Sequence, residues 1–371
     1  MRFSQSSVVA TVGRKRIKVR SKRAIVGRKC LYLQKNTAMK SKLEKLVGRY
    51  RTLGIDQQLD YDKFYLYSII THSTAIEGST ITELENQIMF DNGIALKGKS
   101  LIEQNMNLDL KAAYERALVF ARQHSNVTVE RLKELSALTM KNTGTAYHTM
   151  LGDFSSANGD LRLLNVTAGV GGKSYMSFNK VPSRLAQFCD DLNGLRRDAG
   201  KMSMQELYDM SFDAHFNLVT IHPWADGNGR MARLMMNWLQ FEYGLIPSRI
   251  FADDKEEYIK ALVETRESEN LDIFRNFMTE MMIRHLSHDI AAFEESTGEN
   301  TVEKVKLSTA DRIVSLIKEN PRHSAKSLAE VIGISAKGIE KQLAKLKAQG
   351  VIQRIGPDKG GSWLIVQNEN D

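Results

Sequence analysis

Apolar positions along most of this chain recur at helical spacing. Leu43, Leu46 and Val47 begin one stripe, and Phe64, Leu66, Tyr67, Ile69 and Ile70 form a denser stretch that runs to Gly78, a natural helix stop. Further helical patterns cover residues 101–123, 129–141, 183–195, 204–220, 230–243 and 256–295. One β signal interrupts them: over 161–178, Leu161, Leu163, Val166 and Val170 precede Gly171-Gly172 and the alternating Lys173-Ser174-Tyr175-Met176-Ser177-Phe178, which predicts a small hairpin. Around Ser296-Thr297-Gly298-Glu299-Asn300 the pattern lapses into a linker. Three short helices are expected after it, at 310–320, 324–332 and 335–348, with Gly333 as the tight turn. Two strands, 351–355 and 362–366, flank the turn 356–361 and complete a winged helix-turn-helix pattern. The fold class is therefore mainly α, with a small hairpin in the core and a C-terminal α+β winged-helix domain.

At 371 residues the chain is long enough for two to three domains. Its 42% hydrophobic and 26% charged residues exclude wholesale disorder, and no apolar run reaches membrane-span length. Two cysteines, Cys30 and Cys189, make no disulfide framework and point to a reducing, cytoplasmic home. The net charge of +8 is uneven: the first fifty residues hold 15 Lys and Arg against Glu44 alone, so the remaining 37 bases and 43 acids sum to -6. The run from Arg14 to Arg23 could bind nucleic acid or an acidic partner, but no aromatic residues interleave it, which favours a solvated arm.

The chemistry concentrates in His222-Pro223-Trp224-Ala225-Asp226-Gly227-Asn228-Gly229-Arg230-Met231-Ala232-Arg233, between two helical patterns. Pro223 biases His222 away from helix and Arg230 opens the next one. Gly227 and Gly229 allow successive N–H groups to turn inward at a helix N-terminus, which makes a phosphate-sized concavity. Arg230 and Arg233, at i and i+3, oppose the helix dipole there unless an anion compensates them. Asp226 offers the single hard oxygen that Mg²⁺ usually takes alongside substrate phosphates, and His222 is the candidate general base. The constellation reads as Mg²⁺-assisted transfer of a phosphate-containing group to a hydroxyl. A lone His-Pro or Gly-x-Gly is usually a turn, but the whole set arises by chance on the order of 10⁻⁷ or less per chain.

This run resembles the signature of the Fic (Fido) family of protein adenylyltransferases, H-P-F-x-[D/E]-G-N-G-R-x-x-R, with Trp224 replacing the usual Phe. The resemblance extends over about residues 73–280. It implies that AMP moves from ATP to a Ser, Thr or Tyr hydroxyl of a target protein. His222 would then take the proton, Asp226 hold Mg²⁺, Asn228 and the Gly227 and Gly229 amides cradle the α and β phosphates, and Arg230 and Arg233 neutralise the β and γ phosphates. Gly171, Gly172, Lys173, Ser174 and Tyr175 resemble the family's flap, a hairpin that aligns the target by strand addition. A phosphate-binding P-loop is excluded there, because Thr167 stands where its first Gly would fall. Tyr258, in Glu257-Tyr258-Ile259-Lys260, resembles a nucleotide-proximal tyrosine, although a core-facing helical Tyr fits as well. Ser73-Thr74-Ala75-Ile76-Glu77-Gly78 resembles the family's inhibitory motif, which implies that Glu77 pairs with Arg233 and keeps the resting enzyme autoinhibited.

The expected domains are a basic arm (1–40), an N-terminal helical region (41–128) holding the inhibitory motif 73–78, a Fic core (129–295), a linker (296–305) and the winged helix (306–368). A rival reading is a nucleotide-sensing DNA-binding regulator. For it stand the Lys337, Lys341 and Lys345 stripe and a charge of +4 over residues 306–371. Against it, the third helix carries only Gln342 and Gln349 for reading bases. Transfer of another nucleotide or phosphate group, removal of AMP through water held by Glu77, self-modification and a homo-dimer also stay open at this level.

Overall fold

The structure is a computed structural model and describes residues 37–168, 173–298, 309–332, 334–357 and 361–366. The basic run at 14–23, Cys30, Gly171, Gly172 and Gly333 lie outside the described residues. The chain divides into two compact units, one reaching Ala291 and one beginning at Ala292.

The first unit is helical: α1 (37–52), α2 (Tyr61–Ile76), α3 (Glu83–Asn92), α4 (Leu101–Arg122), α5 (Val129–Thr139), α6 (Val181–Arg196), α7 (Met204–Ile221), α8 (Asn228–Glu242), α9 (Lys255–Ser268) and α10 (Leu271–Gly298). Capping boxes start α3 (Thr82 with Glu85), α4 (Ser100 with Glu103) and α7 (Ser203 with Glu206), each satisfying two otherwise unpaired backbone N–H groups. At the centre lies α8, packed against α7 and α4 and buried without a break from Arg230 through Gln240. A helix buried on all sides must pair its own polar groups. Asn237 accordingly accepts from the Tyr114 hydroxyl at 2.7 Å and donates to the Ser248 carbonyl at 3.0 Å.

The end of α2 is tied to its neighbours by buried amides and hydroxyls. Asn107 of α4 accepts from Thr74 at 2.8 Å and from Asn86 of α3 at 2.8 Å, while its own amide donates to Ser79 at 3.1 Å. Asn86 also donates to Thr71 at 2.7 Å. The turn carrying Glu77 and Gly78 is therefore fixed on both sides, by Thr74 before it and Ser79 after it.

Four expectations change. Among the described residues the core's two-stranded antiparallel sheet is β1 (Ala146–Thr149) with β2 (Gly152–Ser155), paired Tyr147 to Phe154, where no strand was expected. Among its described residues the expected hairpin at 161–178 shows an isolated antiparallel bridge, Thr167 to Ser174, flanked by Tyr175 N–H to the Val166 carbonyl at 3.0 Å and Ala168 N–H to the Lys173 carbonyl at 3.2 Å. The long helical pattern at 256–295 breaks at Glu269, which takes a left-handed φ of 52° and separates α9 from α10. At its far end α10 runs to Gly298, into the segment expected as linker.

The second unit holds α11 (Thr309–Glu319), α12 (Ala325–Ile332), α13 (Ala336–Ala348) and an antiparallel pair, β3 (Ile352–Ile355) with β4 (Ser362–Ile365). Its core is Ile313, Ile317, Leu328, Ile332, Ile339, Leu343, Leu346 and Ile352. Trp363 of β4 fastens the wing to the turn before α12, donating from its indole to the His323 carbonyl at 3.2 Å. On α13, Lys337, Lys341 and Lys345 are all exposed, whereas Gln342 is buried and unavailable for reading a base.

Candidate active site

The site is built where α7 ends and α8 begins. His222 caps α7 in a left-handed conformation, φ 53°, and the following Pro223 disfavours any continuation of the helix through it. Its Nδ1 lies 3.1 Å from the Val219 carbonyl, and a carbonyl can only accept, so Nδ1 carries the proton and Nε2 keeps its lone pair. Burial, outweighing the Val219 bond and helped by the Arg162 charge, pushes the imidazole down to about 4. A neutral imidazole at neutral pH with an unprotonated Nε2 is the state a general base needs.

The loop that follows is held from inside. Trp224 is fully buried and its indole N–H donates to the Gly159 carbonyl at 3.2 Å. Asn228 spends both ends of its side chain on Trp224, accepting from its N–H at 3.1 Å and donating to its carbonyl at 2.9 Å. The side-chain amide of Asn228 is thus a loop staple in this structure, which leaves its backbone N–H as the group free for a phosphate. Gly227 has a φ of 81°, a conformation that favours glycine, and a methyl group on it would sit 2.8 Å from Met140 Sδ, so the Met140 side chain would have to shift.

Arg233 is buried and fully engaged. Its Nε donates to Ser73 Oγ at 2.8 Å, and its Nη2 donates to the Ser73 carbonyl at 2.9 Å and to Glu77 Oε1 at 2.5 Å. A methyl group on Gly229 would lie 2.9 Å from that same Glu77 oxygen and 3.1 Å from Arg233 Nη1. The anion demanded by two arginines at a helix N-terminus is therefore present: it is the Glu77 carboxylate, over the bare Cα of Gly229. Burial alone would raise the Glu77 carboxyl, but Arg233 outweighs it and holds the group below the usual carboxylate range. Arg230 is also buried, with Nη1 3.4 Å from the Thr139 carbonyl and Nη2 3.0 Å from Met140 Sδ, while its Nε has no partner. Such weak acceptors leave this guanidinium short of the anionic partner its burial calls for.

Asp226 fits a metal ion bound together with phosphates. Its side chain is 60% exposed, one oxygen accepts from Gly227 N–H at 2.6 Å, and Arg230 is 3.9 Å away. Among the described residues no cluster of three His, Cys, Asp or Glu could hold a metal alone, so substrate oxygens and water would complete its coordination.

Described residues of the segment expected as a flap lie beside His222. Tyr175 stacks on His222 with ring centroids 3.7 Å apart, Arg266 sits 5.4 Å from the Tyr175 ring centre, and Lys173 pairs with Glu267 of α9. Ser174 makes the bridge to Thr167. Tyr258 is in the core instead of at an open nucleotide edge: it is 2% exposed and its hydroxyl lies 2.9 Å from His215 Nε2. Of its two fitting positions, the structure adopts the core-facing one, and the Tyr258 hydroxyl also contacts Arg233. Cys189 is a buried thiol pushed up to about 12 by burial, which removes it as a nucleophile. Spacing gave no signal for Arg162, whose guanidinium reaches the carbonyls of His222, Leu164 and Met176.

Comparisons with known proteins match two stretches of the chain. The Fic/DOC family model matches residues 126–240, and a winged helix-turn-helix DNA-binding model matches 309–353. The chain is 26% identical over 204 residues to protein adenylyltransferase fic-1 of Caenorhabditis briggsae, covering 54% of this chain and 36% of that protein. It is 27% identical over 197 residues to protein adenylyltransferase Fic of Nematostella vectensis, covering 52% and 42%. It thus spans well under two thirds of these relatives. A Fic domain containing signaling protein from Bacteroides thetaiotaomicron shares the fold at a TM-score of 0.57 and 21% identity, over 68% of this chain and 98% of that one. A Fic family protein from Desulfovibrio desulfuricans does so at 0.56 and 18%, over 90% and 97%. The Fic/DOC match thus takes in the whole of the His222–Arg233 loop near its C-terminal end, and the winged helix-turn-helix match falls within the second unit.

Proposed function

We propose that this chain is an autoinhibited protein adenylyltransferase, moving AMP from ATP to a Ser, Thr or Tyr hydroxyl of a target protein in a reducing, cytoplasmic setting. The observation that carries the reading is the Glu77 carboxylate held on Arg233 over Gly229, a carboxylate standing where a nucleotide phosphate would bind. The names of the nematode and Nematostella relatives support it.

In the reaction, the target hydroxyl oxygen attacks the α phosphorus and gives its proton to His222 Nε2. The new bond is P–O to the target, the bond broken is that between the α phosphorus and the bridging oxygen, and pyrophosphate leaves with the electron pair. The Gly227 N–H is taken by Asp226 Oδ1, so the backbone N–H groups of Asn228 and Gly229 at the start of α8 are the ones that favour the developing charge, as a helix N-terminus does for any anion. Mg²⁺, held by Asp226 and the phosphates, would supply charge neutralisation for the leaving group. While Glu77 holds Arg233, that guanidinium cannot grip the γ phosphate, and ATP enters in an unproductive pose.

The test uses purified wild type and the Glu77→Gly variant with Mg²⁺ and ATP labelled at the α or the γ phosphate, alone and with a cell lysate. Protein label is expected from the α position only, stronger with the variant. Label from the γ position alone would replace this reading with a kinase-like one.

A second activity is favoured by the exposed Lys337, Lys341 and Lys345 on α13 together with the burial of Gln342: contact with DNA phosphates and little direct base reading. Three phosphate contacts predict that log affinity for duplex DNA falls with log salt at a slope of about -2.7, and that Lys341→Ala reduces the slope by about one. Fluorescence anisotropy across a salt series reads both. A flat salt response would assign the module to protein docking.

A further inference from the structure

Arg162 is 1% exposed, and among the described residues no carboxylate pairs with its guanidinium. Burying an unpaired cation costs several kcal/mol unless its donors are met, and here they are met by backbone carbonyls only. Nε donates to the His222 carbonyl at 2.8 Å, Nη1 to the Leu164 carbonyl at 2.8 Å, and Nη2 to the Met176 carbonyl. The Arg162 backbone N–H adds a bond to the Pro223 carbonyl at 3.1 Å. These acceptors are not a random set. Leu164 and Met176 lie on the two arms of the flap, outside the Val166–Tyr175 and Thr167–Ser174 pairings, and His222 is the base. One planar fork thus ties both arms of the flap to the residue that takes the proton, a three-way bond that an ammonium group cannot reproduce. The same fork keeps Tyr175 stacked on His222, because Tyr175 adjoins Met176.

We propose that Arg162 is a positioning residue that sets the register between the flap and His222, so that a hydroxyl presented along the flap arrives at Nε2. The inference rests on the adenylyltransferase reading. It goes beyond it by dividing two reactions of the same site. Transfer to a protein hydroxyl depends on the flap register, whereas transfer of AMP to water needs only the base and the phosphate cradle. The positive charge of Arg162, whose Nε reaches the His222 carbonyl, also disfavours the imidazolium form of His222, after the larger effect of burial.

The test starts from Glu77→Gly as parent and adds Arg162→Lys, which keeps a charge, or Arg162→Gln, which does not. Three quantities are read for each: α-phosphate label transferred to lysate proteins, AMP released to water, and ATP affinity by calorimetry. For Arg162→Lys, protein labelling is expected to fall about 100-fold, the effect of a misplacement of about 1 Å, with AMP release within about threefold and ATP affinity within about twofold of the parent. Arg162→Gln reports the same split wherever ATP affinity shows it folded. Equal labelling by parent and Arg162→Lys would overturn the proposal. A parallel loss of labelling, AMP release and ATP affinity would overturn it too, in favour of a purely structural role. Absence of label with the parent itself would overturn the adenylyltransferase reading and this proposal with it.

Discussion

In a Glu77→Gly background, replacing His222 by Ala is expected to lower AMP transfer to protein about 10²- to 10⁴-fold while ATP affinity is retained. The split follows from the geometry. His222 meets the loop through its backbone and through Nδ1 on Val219, and only Nε2 faces the reaction, so the substitution removes the proton acceptor and leaves the phosphate cradle at 227–230 standing. The pH dependence carries the same logic. Burial lowers the imidazole to about 4, so the base form is fully populated from about pH 6 upward, and the acid limb of kcat/KM should inflect near 4 instead of near the ordinary histidine value of about 6.5. The linked effect on stability has a definite sign. The unfolded chain binds this proton more tightly than the folded one, so the neutral, buried His222 costs stability at pH below about 6.5 and costs nothing above it. Label transfer between pH 3.5 and 8 with the Glu77→Gly parent measures the profile. An inflection near 6.5 would mean that the imidazole is solvated when substrate binds.

The Glu77→Gly substitution alone is the second large effect. Its ion pair with Arg233 joins a side chain that is 34% exposed to one that is 4% exposed, so its worth lies between exposed and buried pairs, about 1–3 kcal/mol. If that energy is what ATP must overcome to bind productively, its removal raises transfer about 5- to 150-fold. The gain should be constant from pH 6 to 8. Because Arg233 holds the Glu77 carboxyl below its usual range, the pair's contribution is complete above the unfolded pKa of about 4.3 and is lost only as pH falls through the lower folded value. The variant leaves Arg233 with Ser73 as partner and no anion, so its Tm should drop without ligand and recover with ATP and Mg²⁺ by more than wild type does. Thermal melts with and without nucleotide measure this. Equal shifts in both proteins would mean that Glu77 does not compete with the γ phosphate.

The legible parts of the chain were those where one physical signal is local. Apolar periodicity placed α4, α7 and α8 within two residues of their ends, and the conflict between paired arginines and the dipole of α8 pointed to an anion before its identity was known. The α3 helix was missed because Glu83–Asn92 has no clear stripe, although Thr82 and Glu85 carry the spacing of a capping box. The β1–β2 hairpin escaped because its strands are four residues each, held by the stacked pair of Tyr147 and Phe154 across the ladder, a contact invisible to periodicity. Asn228 and Tyr258 show a different limit. Their positions in the pattern were legible, but the direction of a side chain is decided by tertiary packing: Asn228 turns to Trp224 and Tyr258 to His215. Arg162 had no sequence signal, since its three acceptors, at Leu164, Met176 and His222, follow it at unrelated distances along the chain and are brought together only by the fold.

The stacking of Tyr175 on His222 has a spectroscopic consequence. A phenol ring with its centroid 3.7 Å from the imidazole and an interplanar angle of 18° places the ring hydrogens of His222 in the shielding zone of an aromatic current. Their NMR resonances are expected to be displaced upfield by that ring, and a Tyr175→Ala variant, which removes it, is expected to return them toward the positions of an unstacked histidine, so the imidazole itself reports the contact without any added probe.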